Sequence, residues 1–261
     1  MANGRGSEEE ISLFNDYDFE QLDDYQQSSY KQFEGLDEIK KGSLTMTVLW
    51  YYGAVVEEPE DPPQYITPKR ISREIKAANA IWRTHNGERA IEFTGIYTGG
   101  RDLTPRQNTE TLDEEGIIDL IRDARDAYPH ADIFVCYLPG ENFMGTKAVA
   151  RAVGRTVDNK LSYLIIMSNG ARARVDDSGI KQGQDYFLAH ELGHILYFSN
   201  YKGDQSDPNP KPSDKGHHRD DTEEGKKNLM APTAVPYGEI PTLTDEQIKK
   251  GLESTFFRDN R

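Results

Sequence analysis

Tyr186-Phe187-Leu188-Ala189-His190-Glu191-Leu192-Gly193-His194-Ile195-Leu196-Tyr197-Phe198 decides how the rest of this chain is read. The run is apolar and helix-forming apart from two histidines and a glutamate in an H-E-x-x-H arrangement. Residues four apart on a helix lie one turn apart on the same face. His190 and His194 therefore point at one spot and suit a zinc ion. Glu191 follows the first histidine directly, where it can take a proton from a water on the metal. Zinc brings the pKa of such a water to about 7, so hydroxide forms at neutral pH. The same five letters also arise by chance on surface helices, but the apolar flanks here favour the zinc reading.

Two histidines leave a catalytic zinc site incomplete, because such sites take three protein ligands and keep one position for water. The remaining histidines are His85, His130, His217 and His218. His85 follows an expected helix and His130 precedes an expected strand, and both read as polar termini. The adjacent pair lies in Lys215-Gly216-His217-His218-Arg219-Asp220-Asp221. Asn228-Leu229-Met230-Ala231-Pro232 follows shortly after.

Together these segments resemble the metzincin clan of zinc peptidases, which carry H-E-x-x-H-x-x-G-x-x-H and then a tight turn with a methionine beneath the metal. Asn228 to Pro232 looks like that Met-turn. The resemblance implies His190 and His194 as ligands, Glu191 as general base and Met230 as a support that does not bind the metal. The clan's glycine would fall at Tyr197 and its third histidine at Asn200, and neither matches. That glycine normally lets the chain turn sharply. Here the helix is expected to continue past Tyr197, and a polar loop from Asn200 to Gly216, with Asp-Pro, Asn-Pro and Lys-Pro pairs, is expected to bring the chain back. His218 is the expected third ligand because Asp220-Asp221 follow it as in the clan. His217 is the alternative, and a carboxylate such as Glu223 or Glu224 is the remaining reading. The resemblance further implies that Ala231, Pro232 and the chain up to Tyr237 wall the pocket for the side chain after the cut bond. It also places the edge strand that pairs with extended substrate at Gly145 to Gly154.

The flanking sequence predicts an α+β fold, a mixed twisted sheet packed on helices, with an active-site helix and a C-terminal helix. Thr67-Pro68-Lys69 opens a helix to about Thr84, with Ile71, Ile75, Ala78 and Trp82 at helical spacing. Ala90 to Tyr97 reads as a strand. Glu114 to Ala127 is an amphipathic helix, and Asp132 to Leu138 and Leu161 to Met167 are apolar strands. Leu243-Thr244-Asp245-Glu246-Gln247-Ile248 opens the terminal helix. The clan resemblance spans about Leu44 to Phe257.

At 261 residues, the chain is long enough for one catalytic domain with an extension. The expected division is an acidic segment, 1–43, and a zinc peptidase domain, 44–261. The first segment holds 11 Asp/Glu against 4 Lys/Arg, a net of −7, half of the chain's −14. Its composition favours disorder or folding on contact. It reads as an inert tail, as a latency segment offering Asp16 or Asp18 to the zinc, or as a leader for export or injection machinery. The start lacks the apolar core of a secretory signal, which suggests synthesis in the cytoplasm and, for an effector or toxin, export by a signal-independent route. No apolar run is long enough for a membrane span. The acidity disfavours nucleic acid as a partner. The single cysteine, Cys136, reads as a buried thiol in a strand.

The function expected from these residues is zinc-dependent cleavage of a protein or peptide substrate with one catalytic Zn2+. The rivals are a non-catalytic zinc-fold binding module, a self-inhibited zymogen or injected effector protease, and a deformylase-like amidase, which the Met-turn and helix order disfavour.

Overall fold

The computed structural model describes residues 40–56, 69–82, 90–101, 107–172, 174–175, 181–182, 185–232 and 240–260. Five strands, β1 (Lys40–Tyr51), β2 (Ala90–Arg101), β3 (Ile133–Tyr137), β4 (Ala150–Val157) and β5 (Lys160–Met167), form one mixed sheet in the order β2-β1-β3-β5-β4. The first four in that order run parallel, and β4 is antiparallel to β5 and forms an edge. The turn between β5 and β4 uses Asp158 and Asn159 at positive φ, a conformation that Asp and Asn tolerate better than most residues.

Side chains alternate across the strands and fill two cores. Met46, Val48 and Trp50 of β1, Val135 and Tyr137 of β3, and Ile165 and Met167 of β5 face one side. Leu49 and Tyr51, Phe134 and Cys136, and Leu164 and Ile166 face the other. Burial on both faces explains why β3 reads as an unbroken apolar run rather than an alternating one.

Helices cover both faces. Helices α1 (Lys69–Ile81) and α3 (Phe187–Phe198) contribute to the first core, and α2 (Glu114–Ala127) packs Ile117, Leu120, Ile121 and Ala124 into the second. Asp113 caps α2 by accepting a 2.8 Å hydrogen bond from the Gly116 N–H. Two short ladders, β6 (Arg174–Val175) with β7 (Lys181–Gln182) and β8 (Pro210–Lys211) with β9 (Asp214–His218), are followed by α4 (Glu223–Lys226) and α5 (Asp245–Gly251).

A buried ion pair fastens α1 to the sheet. The Arg70 guanidinium donates to Glu74 (2.7 Å), to the Val55 carbonyl (2.9 Å) and to the Ser168 carbonyl (2.9 Å), while the Tyr137 hydroxyl donates to Glu74 (2.7 Å). One helix is thereby tied to chain segments that follow β1 and β5 and to the last residue of β3.

The structure is a mixed sheet packed on helices in an α+β arrangement, as the sequence predicted, and the helices lie on both of its sides. Three local features differ from that expectation. The stretch from Leu44 to Tyr51 is a central strand, although its apolar residues do not alternate cleanly with polar ones, because both of its faces are covered. The edge strand begins at Ala150 and runs to Val157, rather than ending at Gly154. Residues 40–43 belong to β1 rather than to the acidic extension, and the rest of that extension lies outside the described residues. So do Thr67, Pro68, Thr84 and His85. Among the described residues, no helix is long and apolar enough to cross a membrane.

Candidate metal centre

Helix α3 is buried almost all round, through Leu188, Ala189, Leu192, Gly193, Ile195, Leu196 and Tyr197. His190 and His194 fall on the one strip that faces a cleft. The Trp82 indole N–H donates to the Ala189 carbonyl at 3.0 Å, anchoring α3 to the end of α1. Gly193 is required by its neighbour: an added Cβ would overlap the Met230 sulfur. The fully buried Met230 therefore packs directly against the ligand helix, in the turn Asn228–Ala231.

The His190 Nδ1 lies 2.6 Å from the Leu229 carbonyl, which makes Nδ1 the protonated nitrogen and leaves Nε2 with a free lone pair. That Nε2 is 3.0 Å from the His194 Nε2. The third imidazole is that of His217. One ring nitrogen from each of His190, His194 and His217 lies within 4.8 Å of the others, the one such group among the described residues. The His217 Nδ1 is 2.7 Å from an Asp214 carboxylate oxygen, so its Nε2 is the nitrogen left for a metal. A carboxylate behind a histidine is a common means of fixing its tautomer at a metal site.

His218, the expected third ligand, is turned the other way. Adjacent residues of a strand point to opposite faces, so β9 can aim only one of the pair at the cleft. His218 is buried, with Nδ1 2.8 Å from Asp207. Asp207 also accepts from the Gln247 amide (2.7 Å) and from the Tyr197 hydroxyl (3.3 Å). Gln247 and Asn228 exchange side-chain hydrogen bonds of 2.8 and 2.9 Å, and Asn228 accepts from the Met230 N–H at 2.9 Å. The His218 N–H donates to the Met230 carbonyl at 2.7 Å. His218 is thus part of a buried polar network that locks the returning loop, the Met230 turn and α5 together. Tyr197, at the position of the clan's glycine, supplies a hydroxyl to that network instead of a turn.

Glu191 is buried beside the imidazoles and accepts a backbone hydrogen bond from Ala152 of β4. Burial pushes its carboxyl up to about 8. Burial also lowers the basicity of His190, to about 4, and of His194 well below the usual histidine range, so both rings are neutral near pH 7 and carry lone pairs. These residues sit in a cleft of about 890 Å³, walled by Lys147 to Ala152 on one side, by Asp214 to His217 on another, and by Leu229, Ala231 and Pro232. Ala231 and Pro232 are among the residues that line this cleft, while Tyr237 lies outside the described residues. Glu223 and Glu224 form the first turn of α4, where Glu223 pairs with Lys226 at 2.7 Å, and neither joins the imidazole group.

The sequence reading missed Asp214, Asp207 and Gln247. Asp214, three residues before His217, was the one visible from local spacing. No protein-family model matches the chain, and no curated protein matches it either.

Proposed function

We propose that this chain is a zinc-dependent endopeptidase of metzincin-like design, in which His190, His194 and His217 hold the metal and Glu191 is the general base. The observation that carries the reading is the meeting of three imidazoles and one buried carboxyl in a cleft lined by the edge strand β4. The donor set fits zinc in two respects. All three donors are imidazoles, two of them held by a second hydrogen bond on Nδ1. Tetrahedral Zn–N bonds of about 2.1 Å set ligand nitrogens about 3.4 Å apart, near the 3.0 Å between His190 and His194.

Bound zinc would supply a Lewis acid that acidifies water and stabilises negative charge on the scissile carbonyl oxygen. The remaining work falls to the chain. Glu191 takes the proton of the attacking water and delivers it to the departing amine. A carboxyl can take a proton as carboxylate and return it as carboxylic acid within one turnover. The outer edge of β4 offers backbone N–H and C=O groups to a peptide in extended form, which would join the sheet as a further strand. Ala231 and Pro232 wall the site beyond the imidazoles, and Met230 keeps its floor rigid.

A binding module with the same zinc ligands would have no use for Glu191, and an ionisable group kept in so buried a position costs stability. That favours catalysis. The test is cleavage profiling of a denatured peptide library by the zinc-loaded protein. The expected result is internal cleavage that stops with a chelator and returns with zinc. An intact library after incubation with fully loaded protein contradicts the reading.

A further inference from the structure

The cleft carries a charge pattern opposite to that of the molecule. The chain has a net charge of −14, yet Lys147, Arg151 and Lys215 line the cleft, and all three are exposed. Among the described residues two acids line it, and each has a hydrogen-bond partner. Asp214 holds His217 at 2.7 Å, and Glu191 is buried and hydrogen-bonded to Ala152.

The cations come from different walls. Lys147 leads into β4, Arg151 lies on β4, and Lys215 lies on β9 beside the third imidazole. Neighbouring cations on these elements are neutralised: Arg155 forks onto Glu114 at 2.5 and 3.3 Å, and Lys211 pairs with Asp220 at 3.0 Å. Arg151 acts on the Glu114 carboxylate through space, and Arg155 hydrogen-bonds that same carboxylate. Among the described residues, neither Lys147 nor Lys215 has an ion-pair partner.

We propose that this cleft selects acidic peptide segments, with Asp or Glu on both sides of the scissile bond. The proposal rests on the peptidase reading above. The acidic body of the protein opposes such a ligand only weakly, since charges beyond about 8 Å are screened at physiological salt. The cations at the cleft act at contact distance, and each exposed pair contributes about two- to fivefold. Three such pairs together favour acidic over basic segments by about tenfold or more.

The experiment compares two synthetic peptides with one shared neutral centre, flanked either by Glu or by Lys. The full-length zinc-loaded protein should cleave the Glu-flanked peptide with a kcat/KM about tenfold higher, carried mainly by KM and shrinking as salt rises from about 0.05 to about 0.5 M. A triple Lys147→Glu/Arg151→Glu/Lys215→Glu variant, checked for fold by circular dichroism, should invert the order. Equal rates, preference for the Lys-flanked peptide, or an acidic preference that survives the triple substitution would overturn the proposal. Fluorescence anisotropy with the Glu191→Gln variant and the same two peptides separates binding from chemistry. If Glu191→Gln binds the acidic peptide more tightly while the parent cleaves neither, charge selection stands and the peptidase reading fails. If it binds neither, charge selection fails as well.

Discussion

His217 and His218 are chemically identical neighbours, and strand geometry alone gives them different work. The ring of His217 joins His190 and His194, with Asp214 behind it. The ring of His218 is buried against Asp207. Their substitutions should therefore separate by readout. His217→Ala removes a proposed ligand and is expected to weaken zinc binding by a factor of about 10³ or more, at little cost to the fold. His218→Ala leaves the buried Asp207 carboxylate short of a partner and is expected to cost about 2 kcal/mol of stability, with a smaller loss of zinc affinity. Competition against a chromophoric chelator gives the first quantity and chemical denaturation the second. The reverse ranking in zinc affinity would return His218 to the ligand set.

Among the elements, α3 was the most legible in sequence, because its apolar flanks and its H-E-x-x-H spacing point to the same helix. The terminal helix was legible from Thr244 and Gln247, which form a capping box. The second task of Gln247 was not legible. The same amide meets Asp207 and Asn228, 40 and 19 residues away in sequence, and no local pattern encodes such a meeting. The histidine that joins His190 and His194 was only half legible for a related reason. Spacing placed a histidine pair on the returning loop, but the pairing of β9 with Pro210–Lys211 decides which ring turns inward. On the proposed zinc reading, Gln247 is a positioning residue for the site. Gln247→Leu is expected to weaken zinc binding by about 10–100-fold and to alter the visible spectrum of the cobalt-substituted protein. Gln247→Glu, which keeps an acceptor for the Thr244 and Asn228 N–H groups, should recover only part of the loss, because it places a carboxylate against Asp207. An unchanged cobalt spectrum in Gln247→Leu would reduce Gln247 to a fold-stabilising group.

At the scale of the molecule, the sheet separates two tasks. Its α2 face is an apolar core that also encloses Cys136, whose thiol burial pushes up and keeps unreactive. Its other face packs α1 and α3 and so supports the imidazole cluster. The Arg70–Glu74 pair holds α1 in that arrangement, away from the imidazoles. Removing one member of a buried pair leaves an uncompensated charge and costs about 3–5 kcal/mol. Glu74→Gln is therefore expected to lower the thermal midpoint by about 10 °C, while zinc affinity at room temperature stays near that of the parent. Scanning calorimetry and the chelator competition together check this, and a collapse of zinc affinity without a stability loss would contradict it. The central claim, that three imidazoles and Glu191 form a hydrolytic centre, is tested most directly by Glu191→Gln. That variant is expected to keep one zinc per chain and an unchanged fold while peptide turnover falls by about 10²–10⁴-fold. Turnover within about tenfold of the parent, at full zinc content, would contradict the general-base role on which the account rests.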